Sequence, residues 1–254
     1  IIKMKKSFAI GIIMLTCLLS TNRIDAETKD ISAQITLANE LYHEKNYQDA
    51  ADIFIKLIDQ GVKNGYLYYN LGNTYIRLGN ISSSIVYYLR AKQLIPRNAN
   101  LEANLRYAIS QTQDQLSPPK KRLITDILFW IESINLIEHC IILFFTNIIF
   151  WLICIGSLYY RKSTWHSMKK VALTVLLIVF LSTLIKNHLL LNQKIGVVTD
   201  KIVAIKSDRN NKNITLFKLH EGAIILINEE DKEWLNVSVE SEKTGWVAKN
   251  SIGY

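Results

Sequence analysis

Proline and glycine are scarce in this chain, at 3 and 10 of 254 residues. That scarcity, with 49% hydrophobic and only 20% charged residues, excludes a collagen-like or wholly disordered chain. Cysteine is scarce as well. Cys17, Cys140 and Cys154 all lie in apolar stretches, without the spacing of a metal site or a disulfide framework, and read as apolar filler. Enzyme signatures are missing: there is no GxGxxG, phosphate loop, GxSxG or HExxH. His43, His139, His166, His188 and His220 fall in different regions, none at metal-ligand spacing from another. The sequence therefore predicts a non-enzyme with no cofactor and no bound metal.

A localised charge excess is equally absent where a nucleic-acid surface would need it. The formal charge of +8 divides into +3 over residues 1–26, 0 over 27–115, +6 over 116–194 and −1 over 195–254. Both regions that read as water-soluble are neutral, and the basic excess borders long apolar runs, where membrane orientation rules place it. Nucleic acid is not an expected partner; a lipid bilayer is.

What is present begins with a membrane plan. Lys3, Lys5 and Lys6 precede an uncharged run from Ser7 to Asn22 and then Arg23-Ile24-Asp25-Ala26, the pattern of a secretory signal peptide over 1–26. Ile24 is large for the −3 position, so an uncleaved anchor is the alternative. Cys140–Tyr160 holds 21 uncharged residues, and the first span is expected over 139–160. A second span, 171–191, combines 15 uncharged residues from Val171 to Ile185 with Leu189–Leu191, provided that Lys186 snorkels or faces its neighbour helix. Between them lies a basic loop, 161–170, with Arg161, Lys162, Lys169 and Lys170 as topology determinants. Positive-inside logic places this loop in the cytoplasm and both soluble regions outside the inner membrane. In the linker 116–138, Leu123–Ile137 reads as an amphipathic helix in the outer interface, anchored by Phe129 and Trp130. A longer, tilted first span is the alternative there.

Residues 27–115 show helical apolar spacing repeated at 34 residues. The second unit, 65–98, carries Tyr68, Leu71-Gly72, Tyr75, Gly79, Ser84, Tyr88, Ala91 and Pro96. The first, 31–64, carries Leu37-Ala38, Leu41, Tyr47, Ala50, Phe54 and Leu57, with Lys45 at the inter-helix turn. Small residues at Ala38, Gly72, Ala50 and Ser84 let helices cross closely, and aromatics fill the gaps between them. This pattern resembles the tetratricopeptide repeat, and residues 98–111 read as a capping helix. The resemblance implies a groove lined by the exposed side of each first helix: Asn39 and Tyr42 in one unit, and Tyr66, Tyr69, Asn73 and Arg77 in the next. Such side chains suit an extended peptide or a partner's helix, while local packing of Tyr66 and Tyr69 is the alternative.

From residue 195 the pattern turns to short β-rich stretches separated by turn residues, which predicts a small barrel or open sheet roll over 195–254. His220-Glu221-Gly222, Trp234-Leu235-Asn236-Val237 and Gly245-Trp246-Val247 resemble the bacterial SH3 family. Trp234 and Trp246 then either line a peptide groove or cover the barrel core.

The fold class expected for the whole is a multi-domain membrane protein: α-helical tetratricopeptide hairpins, two transmembrane helices and a small all-β SH3-like barrel. This order of parts, with Ile127-Leu128-Phe129-Trp130 ahead of the first span, resembles the BatE family of the bacterial aerotolerance (Bat) operons. The resemblance implies an inner-membrane adaptor with periplasmic modules. It also implies membrane-protein partners of the von Willebrand factor A type and a role in oxidative or envelope stress. A cell-wall-binding or sensor protein, with the SH3-like module on peptidoglycan, is the competing expectation.

Overall fold

The structure, a computed structural model, describes residues 30–116, 128–160, 163–192, 194–209, 214–239 and 243–254. The expected signal peptide, Arg161 and Lys162 lie outside the described residues. The chain divides into two compact units at the Lys63–Asn64 bond.

The first unit contains a helical hairpin: α1, residues 30–43, and α2, Tyr47–Asp59. Ala38, Ala50, Phe54 and Leu57 are all fully buried, as the 34-residue pattern requires. Lys45 makes the turn with a left-handed backbone, φ 66°. In the second unit α3, Gly65–Arg77, and α4, Ile81–Leu94, repeat the hairpin, with Gly79 at φ 76° in the corresponding place. The sequence explains both helix starts. Asn64 Oδ1 accepts from the backbone of Tyr66 (2.9 Å) and Leu67 (3.2 Å), and Asn80 Oδ1 from that of Ser83 (2.9 Å). These bonds satisfy amides that a helix N-terminus otherwise leaves orphaned. Gly72 lets α4 come close: a methyl group there would sit 2.5 Å from the Tyr88 ring. The expected capping helix is α5, Ala99–Ser110, capped by Asn98 through Leu101 N at 2.9 Å.

The linker departs from expectation. Residues 117–127 lie outside the described set, and the described part is not one amphipathic helix. A single turn, α6 (Trp130–Ser133), stops at an extended Ile134. A new helix, α7 (Leu136–Tyr159), then starts in a reciprocal capping box between Asn135 and Glu138. That cap, rather than hydropathy, sets the start of the first long helix. The second long helix, α8 (Ser163–Asn192), begins 8 residues before the expected span, so Lys169 and Lys170 lie on a helix instead of in a loop. Trp165 folds back on Gly156, where an added Cβ would lie 2.7 Å from the indole, and stacks on Tyr160 at 5.6 Å. Both long helices are long and apolar enough to cross a membrane, and their most apolar 18-residue stretches are 0% and 6% buried in the protein. Lys186 is buried, donating to the Ile131 carbonyl at 2.7 Å, and Trp130 donates to Ser182 Oγ at 3.0 Å. Thus Trp130 holds α6 against α8, while Phe129 is left exposed.

The described residues between 194 and 254 form one antiparallel sheet. Its strands are β1 (Lys194–Val198), β2 (Ile202–Lys206), β3 (Thr215–His220), β4 (Ile224–Glu230), β5 (Trp234–Val239), β6 (Lys243–Ala248) and β7 (Ile252–Gly253). Their order is β3-β2-β6-β5-β4-β1-β7, an open sheet with β3 and β7 at its edges. Period-2 alternation turns Val203, Ile205, Leu235, Val237 and Val247 into the core. The short β7 was not expected from the sequence.

Candidate functional site

The groove residues are placed by the two hairpins. Asn39 and Tyr42 lie half-buried on α1 in the first unit, where Tyr42 meets Tyr47 edge-on at 5.3 Å. Tyr66, Tyr69, Asn73 and Arg77 lie on α3 in the second unit. Tyr66 is 60% exposed, and Arg77 is exposed as well. Tyr69 and Asn73 are drawn into a polar network that the sequence did not announce. The Tyr88 hydroxyl donates to Asn73 Oδ1 at 2.7 Å. Asn104 Nδ2 donates to the same oxygen at 2.8 Å and to the Tyr69 hydroxyl at 3.2 Å. Local packing therefore holds for Tyr69, whereas Tyr66 stands clear. Asn104 is the residue that sequence reasoning missed. It lies 31 residues beyond Asn73, on a helix read only as a cap. Its signal was available: the α5 cap Asn98 stands 34 residues after the α3 cap Asn64, so α5 occupies the first-helix place of a third unit.

The sheet offers a second surface. Trp234 and Trp246 alternate with the buried Leu235 and Val247, so both stand on the face opposite the core. Their registers, Trp234 with Ala248 and Asn236 with Trp246, make them diagonal neighbours. The Arg209 guanidinium covers the Trp246 ring at 4.1 Å and pairs with Asp231 at 2.9 Å. At the ends of β4 and β1, Glu230 receives Lys194 and Lys249 at 2.6 Å each and the Tyr254 hydroxyl at 2.8 Å. These donors pull its carboxyl from 4.5 down to about 2, with the Lys194 hydrogen bond the largest cause, and Glu230 in turn raises the Lys249 ammonium.

The sheet is also held against the second hairpin. Asp114, just beyond α5, accepts from the His220 backbone N–H at 2.7 Å and faces its ring Nδ1 at 2.9 Å. Ser82 on α4 donates to Glu221 at 2.8 Å, and Arg90 on α4 donates to the Tyr254 carbonyl. Gly253 lies beside Val86, where a Cβ would come within 2.9 Å. The outward side of α4 is thereby occupied by the sheet.

The chain thus joins a paired-helix repeat with a polar, tyrosine-edged face to two long apolar helices and an antiparallel sheet. The family model described as Tetratricopeptide repeat matches residues 66–98, the span of α3, α4 and the Pro96 turn. A search of curated proteins finds no match. Tetratricopeptide domains generally mediate protein–protein interactions.

Proposed function

We propose that the protein is a membrane-anchored adaptor of the bacterial envelope, resembling the BatE family, whose tetratricopeptide face holds a second membrane protein. The observation that carries this is the repeat matched over residues 66–98. The two long apolar helices support an anchor in the bilayer. Lys169 and Lys170, on the first turns of α8, support a cytoplasmic bend, so that the helical repeats and the sheet share the outer side. In this reading the sheet is an SH3-like module, partners include von Willebrand factor A-type membrane proteins, and the complex serves under oxidative or envelope stress. No catalytic step is assigned to it. Cross-linking in native membranes followed by mass spectrometry tests the reading. Partner peptides linked near Tyr66 should disappear with the paired substitutions Tyr66→Ala and Tyr107→Ala, the second at a tyrosine 56% exposed on α5, and an unchanged partner set refutes it.

A second reading draws on the outward face of the sheet. Trp234 and Trp246, free of core duty, fit a role in binding peptidoglycan. The full chain in detergent, mixed with cell-wall sacculi, distinguishes the two: sedimentation that depends on Trp234 and Trp246 favours wall binding, and no sedimentation removes it.

A further inference from the structure

A cavity of about 540 Å³ lies where the second helical hairpin meets the first long helix. Tyr66, Pro96, Arg97, Asn100, Asn135 and Glu138 are among the residues that line it. Its wall is fastened across that junction: Asn135 Nδ2 donates to the Leu94 carbonyl at 3.1 Å, and Arg97 donates to Glu138 Oε1. The volume falls within the range of ordinary small-ligand sites, about 300–1,000 Å³. The two charged side chains of the lining are opposite in sign and accessible, Arg97 at 61% and Glu138 at 32% exposure. Their pairing does not use either up. Glu138 spends its other oxygen on the Asn135 backbone N–H at 2.9 Å, but each carboxylate oxygen carries a second lone pair, and a guanidinium has further N–H groups.

Position selects the kind of ligand. The 24 residues of α7 rise about 36 Å against a hydrocarbon core of roughly 30 Å, so its first turn, with Glu138, falls among lipid headgroups. Ile141, Ile142 and Phe145 follow Glu138 on the same helix face, and all are exposed, at 49%, 39% and 57%. They continue the polar cavity into an apolar track about 10 Å long. Charge narrows the class. A purely anionic headgroup would meet Glu138 and a lone cation would meet Arg97, whereas a zwitterion answers both. A quaternary ammonium has no proton for Glu138 and favours a cage of aromatic rings, while Tyr66 is the one aromatic ring in the lining. Resting on the membrane reading above, we infer that this cavity holds the headgroup of a zwitterionic phospholipid with a primary ammonium. Arg97 donates to its phosphate and Glu138 accepts from its ammonium.

The test places the full chain in vesicles of equal parts phosphatidylethanolamine, phosphatidylglycerol and phosphatidylcholine. After mild detergent extraction, native mass spectrometry counts each lipid retained per chain. Phosphatidylethanolamine should exceed each of the others by about tenfold, and Arg97→Gln should erase that excess. Glu138→Gln keeps a residue type that serves in a capping box while removing the negative charge. It should therefore turn the preference to phosphatidylglycerol, a gain that misfolding cannot imitate. Equal retention of the three lipids, or a preference that either substitution leaves unchanged, overturns the headgroup site while the membrane reading stands. Displacement of the lipid by equimolar soluble glycerophosphoethanolamine assigns the cavity to a free phosphate ester and overturns the lipid. A chain that carbonate washing strips from the vesicles defeats the membrane reading itself.

Discussion

Lys45 and Gly79 stand 34 residues apart, in the same turn of consecutive units, and both carry left-handed backbone, at φ 66° and 76°. The surrounding bonds match. Lys45 N reaches Tyr42 O and Gly79 N reaches Ile76 O, each at 3.1 Å. Asn46 N reaches Leu41 O and Asn80 N reaches Tyr75 O, each at 2.9 Å. Only the residue differs, which makes the pair an internal control. At Gly79 nothing lies within 4 Å of an added Cβ, so alanine there meets no neighbour and its cost is purely conformational. The left-handed region costs an L-residue about 1–2 kcal/mol, and a less flexible unfolded chain returns about 0.4–1 kcal/mol. Gly79→Ala should therefore destabilise its hairpin by roughly 1 kcal/mol, and Lys45→Gly should stabilise the other by a similar amount. Because the chain has two units, local hydrogen exchange reports this better than one melting curve. Exchange of the Asn80 amide should speed up about fivefold in Gly79→Ala, and that of Asn46 should slow by a like factor in Lys45→Gly. Equal signs for the two substitutions, or faster exchange at Asn46 in Lys45→Gly, would refute the strain argument.

Other consequences can be checked separately. Asp114→Ala removes the bonds its carboxylate makes to the His220 backbone N–H and ring, where the two side chains are only 19% and 25% exposed, a loss on the order of 2 kcal/mol in the seating of the sheet. The His220 amide should lose exchange protection while Leu235 and Val247 keep theirs, and unchanged His220 protection counts against the latch. Glu230 is held at about 2 when folded against an ordinary 4.5, so its support of the strand ends is complete above about pH 4.5 and fades as pH falls towards 2. The group is exposed, so salt should weaken this support, and Glu230→Gln should flatten the acid dependence of exchange at Lys194–Val198; an identical acid profile in the variant rejects it. Gly156→Val places a side chain where the Trp165 indole now sits, so Trp165 should leave its stack on Tyr160 and red-shift in fluorescence. An unshifted spectrum would mean that the bend between α7 and α8 is not packed as described.

Periodic features were legible in the sequence because the physics behind them is local or repeats. The 34-residue spacing of Ala50 with Ser84 and Phe54 with Tyr88 follows from close helix crossing, and all four side chains are buried. Alternation located the first six strands to within a few residues, but β7 is two residues long and gives no periodic signal. Lys45 carries no mark of a left-handed turn, since a lysine there is tolerated rather than favoured. The break at Asn135 had a signal that hydropathy outweighed, namely Asn three residues ahead of Glu138 at the head of an apolar run. The Asp114–His220 latch, 106 residues apart, is set by tertiary packing and leaves no local trace, whereas the Asn73–Asn104 pair was signalled only through the 34-residue spacing of Asn64 and Asn98. Trp234 and Trp246 were ambiguous by composition, and strand register alone turned them outward.

The proposed adaptor role requires the helical repeats and the sheet to share the outer side of a membrane that α7 and α8 cross. Single cysteines at the exposed positions Asn64, Lys170 and Lys201, in a chain whose Cys17, Cys140 and Cys154 are replaced, measure this with a membrane-impermeant maleimide on intact spheroplasts. The account predicts labelling at Asn64→Cys and Lys201→Cys, and at Lys170→Cys only after permeabilisation. Labelling of Lys170→Cys alone, or of just one of the other two, would contradict it.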